Sequence, residues 1–277
     1  WVKVKDKKTG KESVAIIRVV DNNIEYNTHV APNAVSGKNY ALGLKEDGTI
    51  WTWGYDASGL ADSNVPVSTN VISTYNSISA GKNYALATRK DGTAWAIGSN
   101  NYGQLGIGSY ESKAKLVQIE GLTDITSISA GETHSIALDS YGTVYGWGSN
   151  ANGELSSKYI GKDTSKPVVI SMPRDTIIQI SAGKGESAFV TTNGQVYGMG
   201  KILNGYIPGV TNAVKVEVGT NYLLILRADG TIYKYQDGKL SQVSNIKNAI
   251  DISVQNNVNM YQSVDEKAYT WGENING

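Results

Sequence analysis

The chain has 277 residues, in which 25 Lys and Arg balance 25 Asp and Glu, so nothing in its net charge drives it towards nucleic acid or an anionic membrane. It has no cysteine and two histidines; a disulfide framework and thiolate chemistry are excluded, and neither a His-based metal site nor a cofactor is expected. No apolar run approaches the roughly 18 residues that a membrane-spanning helix needs, and the bias towards Gly, Asn, Ser, Thr and Tyr fits turn-rich β-structure.

The chain opens at Trp1 without an initiating methionine or a signal peptide, and it reads as a piece of a longer protein. Residues 1–32 contain two apolar segments joined at Lys8-Thr9-Gly10. Two placements are open for them: a degenerate first copy of the repeat that follows, with Asp21-Asn22-Asn23-Ile24 at its second turn, or the last hairpin of a preceding immunoglobulin-like domain.

From Asn33 to Gly277 the sequence is a set of imperfect copies of one unit, best seen in Ser77 to Gly106. A first turn recurs at Gly37, Gly81, Gly131, Gly183 and Gly219, and a second turn follows each at Gly48, Gly92, Gly142, Gly194 and Gly230. An aromatic residue then recurs at Trp51, Trp95, Tyr145, Tyr197, Tyr233 and Tyr269. The copies are spaced by about 36–52 residues, the range of propellers and solenoids.

Within a unit the apolar period is two: Ile78-Ser79-Ala80, Tyr84 to Thr88 and Thr93 to Ile97 each alternate, as strands do. Gly81 and Asp91-Gly92 fall where the chain reverses, and both glycines are expected at positive φ. A fourth, outer strand is expected at Leu116 to Ile119 and at Pro167 to Ile170, since proline in a strand belongs on an edge. A lone three- or four-stranded meander cannot bury both faces. The fold expected is therefore an all-β propeller of six to seven blades, seven favoured because Gly10 and Val254-Gln255 add two anchors to the five first-turn glycines. An open β-solenoid is the alternative. The tryptophans at Trp51, Trp53, Trp95, Trp147 and Trp271 follow the strand alternation and are expected in the packing.

The pattern Ala-Gly-x-x-His/Tyr-x-x-Ala-Leu, Asp-Gly-x-x-Trp/Tyr-x-Trp-Gly, then Asn-x-x-Gly-Gln-Leu-Gly resembles the regulator of chromosome condensation repeat. It is carried by Ala80-Gly81, Ala130-Gly131, Asp91-Gly92, Trp147-Gly148, Asn100 to Gly106 and Asn150 to Leu155. Tyr55 to Leu60 is a looser version of the last segment, and the copies at Lys201 to Asn204 and Gln236 to Gly238 lack it. The resemblance implies a propeller used as a binding platform, with bacterial relatives that include a secreted β-lactamase inhibitor binding through one face. With the Lys-, Asn- and Ile-rich style of the chain, it implies an exported or surface-attached bacterial protein.

Strand parity puts the first turns and the long loops after the third strand on one face. That face would collect Tyr40, Tyr84, His134 and Tyr222 from the turns and Tyr55 and Tyr102 from the loops, and tyrosine offers rigid amphipathic area to a partner. The first four share one repeat position, a regularity that equally fits packing between blades; the last two sit on loops. His29 and His134 lack a catalytic partner at useful spacing, and Asp47, Asp91 and Asp229 read as turn residues, not as an acid pair. The function expected is a non-enzymatic, monomeric module binding another protein, with glycan binding and a channel-centred enzyme as alternatives.

Overall fold

In the computed structural model the described residues are 33–55, 62–69, 75–172, 175–255 and 257–273, together with the backbone of 2–5 and 12–15. Blade 1 consists of β3 (Asn33–Ser36), β4 (Tyr40–Leu44), β5 (Ile50–Tyr55) and β6 (Asp62–Ser68). Blade 2 consists of β7 (Tyr75–Ala80), β8 (Tyr84–Arg89), β9 (Ala94–Gly98) and β10 (Lys113–Gln118), and blade 3 of β11 (Ile125–Ala130), β12 (His134–Asp139), β13 (Val144–Gly148) and β14 (Thr164–Val169). Blade 4 follows with β15 (Ile177–Ala182), β16 (Glu186–Thr191), β17 (Val196–Gly200) and the short β18 (Gly205–Tyr206). Blade 5 has β19 (Ala213–Val218), β20 (Leu223–Arg227), β21 (Ile232–Gln236) and β22 (Lys239–Gln242); blade 6 has three strands, β23 (Ala249–Gln255), β24 (Val258–Ser263) and β25 (Ala268–Gly272). Every sheet is an antiparallel meander in chain order. Outer strands form where expected, and Pro66 and Pro167 lie on them, at sheet edges.

Among the described residues six blades are present, not the favoured seven. The anchor at Val254-Gln255 belongs to blade 6, whereas Gly10 and Asp21 to Ile24 lie outside the described residues. The flanking strands β1 (Val2–Lys5) and β2 (Glu12–Ala15) pair with each other, Val2 opposite Ala15, and form a sheet of their own that no blade strand joins.

The core lies between the blades. Tyr84, Leu86, Ala94 and Ala96 on one face of blade 2 pack against Ile125, Ile128, Ala137 and Trp147 of blade 3. Ile136, Leu138 and Val144 of blade 3 then meet Ile177, Ile180 and Phe189 of blade 4. Trp147 is fully buried, as the alternation requires, while Trp51, Trp53, Trp95 and Trp271 are half-buried. Trp95 carries the Arg89 guanidinium 3.7 Å from its ring centroid, and Lys45 sits 5.2 Å from the Trp51 ring. The basic residue two places before Asp-Gly thus covers the aromatic that follows the turn.

The two glycines of a unit do different work. Gly92 has φ 79°, the left-handed turn expected of Asp-Gly. Gly81 has no positive φ; a Cβ there would stand 2.6 Å from the Gly131 carbonyl oxygen and closer still to the Tyr84 ring. Glycine is needed at the first turn because adjacent blades touch backbone to backbone. Ser79 and Ser129 join the same crowded ends, their Oγ atoms accepting from Ala130 N at 3.0 Å and from Ala182 N at 2.9 Å.

Candidate binding face

Gly98 pairs with Tyr84 and Gly148 with His134, so each third strand ends beside the first turn of its blade. The first turns and the long loops consequently occupy one face, as strand parity predicts. At its centre the first turns of all six blades line a single cavity of about 440 Å³.

Four of the six candidate residues do not reach that surface. Tyr40, Tyr84, His134 and Tyr222 are buried, and each points into the next blade. The Tyr40 hydroxyl donates to Gly81 O at 2.9 Å, and that of Tyr84 donates to His134 O. His134 Nε2 lies 3.0 Å from Ser187 Oγ, and the Tyr222 hydroxyl donates to Asn259 Oδ1 at 2.6 Å. Burial pushes the Tyr84 hydroxyl up and drives His134 down to about 4, so the imidazole is neutral at physiological pH. These residues are bolts between blades, and they are withdrawn from the contact surface.

Glu186 fills the same position in blade 4 and does another job. Its carboxylate accepts from Ile202 N at 2.6 Å and Leu203 N at 3.2 Å, holding the trimmed loop of its own blade. Burial, opposed by those two bonds and reinforced by Glu154 nearby, raises it to about 8.

Tyr55 and Tyr102 are exposed, 61% and 45%. The loop bearing Tyr102 is organised from within. Asn100 is buried, accepts from Leu105 N at 2.9 Å and donates to Ser109 O at 2.8 Å and Glu111 O at 3.1 Å. Leu105 is buried between blades 2 and 3, and the Gln104 carbonyl accepts from Trp147 Nε1 and Ser135 Oγ, both at 2.8 Å. Asn150 and Leu155 repeat the arrangement in blade 3, where Asn150 Nδ2 donates to Tyr159 O at 2.7 Å. The Asn-x-x-Gly-Gln-Leu-Gly segment is therefore a device for presenting a loop rigidly. Residues 56–61 of the looser first version lie outside the described residues.

Two further tyrosines on these loops, Tyr110 and Tyr159, are also exposed, 53% and 48%. They sit in the variable stretch beyond the motif, and their signal was only that they are aromatic residues in a loop of the same face. The aspartates stay in their turns: Asp47 Oδ1 accepts from Thr49 Oγ1 at 2.6 Å and Thr49 N at 2.9 Å, and Asp91 Oδ1 from Thr93 Oγ1 at 2.6 Å and Thr93 N at 3.0 Å; the hydroxyl bonds first, then the backbone ones, hold both carboxyls below their ordinary range. Among the described residues no three His, Cys, Asp or Glu side chains are grouped to hold a metal, and no helix is long and apolar enough to cross a membrane. His29 lies outside the described residues.

Radially stacked three- and four-stranded meanders around a central cavity define a β-propeller. Its repeats match the regulator of chromosome condensation (RCC1) repeat at residues 91–138 and 141–190, and in a second form at 75–104 and 125–154; residues 75–190 of the propeller carry RCC1 repeats. No curated protein matches it in sequence. Human WBSCR16 superposes with a TM-score of 0.71 at 14% identity, over 80% of this chain and 69% of that one. Prp20p of Saccharomyces cerevisiae, described together with its binding to Gsp1p and histones, gives 0.71 at 18% identity, over 81% and 66%. The ectodomain of the Arabidopsis thaliana receptor kinase ACR4 gives 0.60 at 18%, over 86% and 78%. The match thus spans about two thirds of the length of Prp20p.

Proposed function

We propose that this propeller is a non-catalytic module that binds another protein through the face carrying the long loops. The observation that carries this reading is the exposure of Tyr55, Tyr102, Tyr110 and Tyr159 on that one face, with the loops of Tyr102 and Tyr159 held by buried asparagines. Aromatic side chains on pre-ordered backbone give contact area at little entropic cost. The yeast propeller Prp20p has been described with its binding to Gsp1p and histones, and bound to Kap60; it supports the general mode, protein recognition by a propeller, and not those partners. An exported or surface-attached bacterial setting is part of the proposal and rests on the resemblance and on the Lys-, Asn- and Ile-rich style of the chain.

The test is affinity capture with the native chain and with Tyr55→Ala/Tyr102→Ala. The double variant should melt within about 0.5 kcal/mol per site of the native chain, as exposed substitutions do, and lose a protein that the native chain retains. Equal retention by both forms would remove the tyrosine rim from the reading. A response on a glycan array with no protein retained would replace it with carbohydrate binding.

A further inference from the structure

The mouth of the central cavity carries a charge pattern that the tyrosine rim does not account for. Next to the first-turn glycines stand Lys38 in blade 1, Lys82 in blade 2, Glu132 in blade 3, Lys184 in blade 4 and Thr220 in blade 5, with Gln255 in blade 6. Three cations and one anion thus face one opening in a chain whose total formal charge is zero. Glu132 is gripped from both sides: Lys82 Nζ pairs with its Oε1 and Lys184 Nζ lies 3.8 Å from its Oε2. Lys38 is exposed and has no ion-pair partner among the described residues.

The mouth therefore already holds one carboxylate, between ammonium groups delivered by the two flanking blades, and retains a surplus of two positive charges. A concave opening focuses such a surplus and draws in an opposite charge. The cations are lysines, which attract an anion as point charges, and the anion they already hold is a carboxylate. A cavity of about 440 Å³ admits side chains of a loop and not a folded domain.

We propose that this mouth receives an aspartate or glutamate side chain from an acidic loop of the partner protein, held by Lys38 and Lys184 and competing with Glu132 for Lys82. The proposal rests on the binding face described above and names the chemistry of what binds at its centre.

Hexaglutamate is the probe, titrated at low salt into the native 277-residue chain, with hexalysine as control. Hexaglutamate should bind, weaken as salt is raised, and lose about tenfold in affinity with Lys38→Gln/Lys184→Gln. Glu132→Gln should change affinity in the opposite direction, because it releases Lys82 and Lys184; a general disturbance of the mouth would weaken binding instead. The proposal is overturned by no hexaglutamate binding, by equal affinity in the double glutamine variant, by weaker binding with Glu132→Gln, or by equal binding of hexalysine. The two readings fail separately. Tyr55→Ala/Tyr102→Ala should leave hexaglutamate affinity unchanged, so loss of the captured protein in that variant without any hexaglutamate binding sinks the carboxylate site and leaves the face standing.

Discussion

The face that blade 2 turns towards blade 3 and the corresponding face of blade 6 are built from the same register positions. Tyr84, Leu86 and Thr88 pair with Gly98, Ala96 and Ala94; Val258, Met260 and Gln262 pair with Gly272, Thr270 and Ala268. In blade 2 all three strand residues are buried, Leu86 completely, whereas in blade 6 Val258, Met260, Gln262, Ala268 and Thr270 are all exposed, Met260 to 41%. The strand geometry is the same, and what differs is the presence of a neighbour. Burial in this molecule is thus a property of the stack and not of the blade, as expected where each repeat contacts only adjacent ones. The opposite face of blade 6 makes the point from the other side: Ile252 and Asn259 there are buried against blade 5.

The largest effect that would break this comparison is at Trp147, which fills the boundary between blades 2 and 3 and donates to Gln104 O. Trp147→Ala should cost about 3–5 kcal/mol by denaturant titration and loosen the Tyr102 loop; an unchanged midpoint would show that the boundary does not carry the stability. Next, Leu86→Ala should cost about 2–5 kcal/mol, while Met260→Ala at the same register position should stay within about 0.5 kcal/mol. Equal losses at the two sites would mean that the blade 6 face is covered in solution.

The smallest effect concerns pH. Glu186 titrates near 8 when folded, against 4.5 for an ordinary glutamate, so the folded chain keeps a proton that the unfolded chain releases. Its contribution to stability falls as pH rises from about 4.5 to 8. His134, lowered from 6.5 to about 4, acts in the other direction: the unfolded chain takes up a proton that the folded chain refuses, and stability falls as pH drops below about 6.5. The two oppose each other between 4.5 and 6.5, and above that range Glu186 dominates the pair. The native Tm should therefore decline from pH 6.5 to 8, and Glu186→Gln should flatten that decline. A decline of equal slope in the variant would assign it to another group.

The repeat and its turns were legible because steric demands leave few alternatives: a left-handed turn wants Gly92 and a two-residue period wants strands; Gly81, expected at positive φ as well, is required instead by the contact between blades. The number of blades was less legible, since a turn-like sequence such as Lys8-Thr9-Gly10 marks a hairpin equally well inside or outside a ring. At the candidate site, Tyr102 could be placed by loop membership, while Tyr55, expected on a loop, ends β5 opposite Asp62 and is exposed there; Tyr40, Tyr84 and Tyr222 could not be told from contact residues by type. A tyrosine that bolts two blades and one that meets a partner share the same chemistry, an apolar ring with a hydroxyl at its end. Position within the repeat was the better guide. The members of the Lys82–Glu132–Lys184 cluster share one repeat position, the residue after a first-turn glycine, but that they pair shows only when three blades stand side by side, since they are about 50 residues apart in the chain.

The glycines of the first turns also fix a dimension. A methyl group added at Gly81 or Gly131 would meet the next blade's carbonyl oxygen at 2.6 Å, and would have to wedge the two blades apart at their inner ends. The bore of the central opening is therefore set by the thickness of bare backbone, while its lining is decided one residue further along, at Lys38, Lys82, Glu132 and Lys184. Aperture and chemistry are written at adjacent but separate positions, so that the opening can be recharged by single substitutions without any blade having to move.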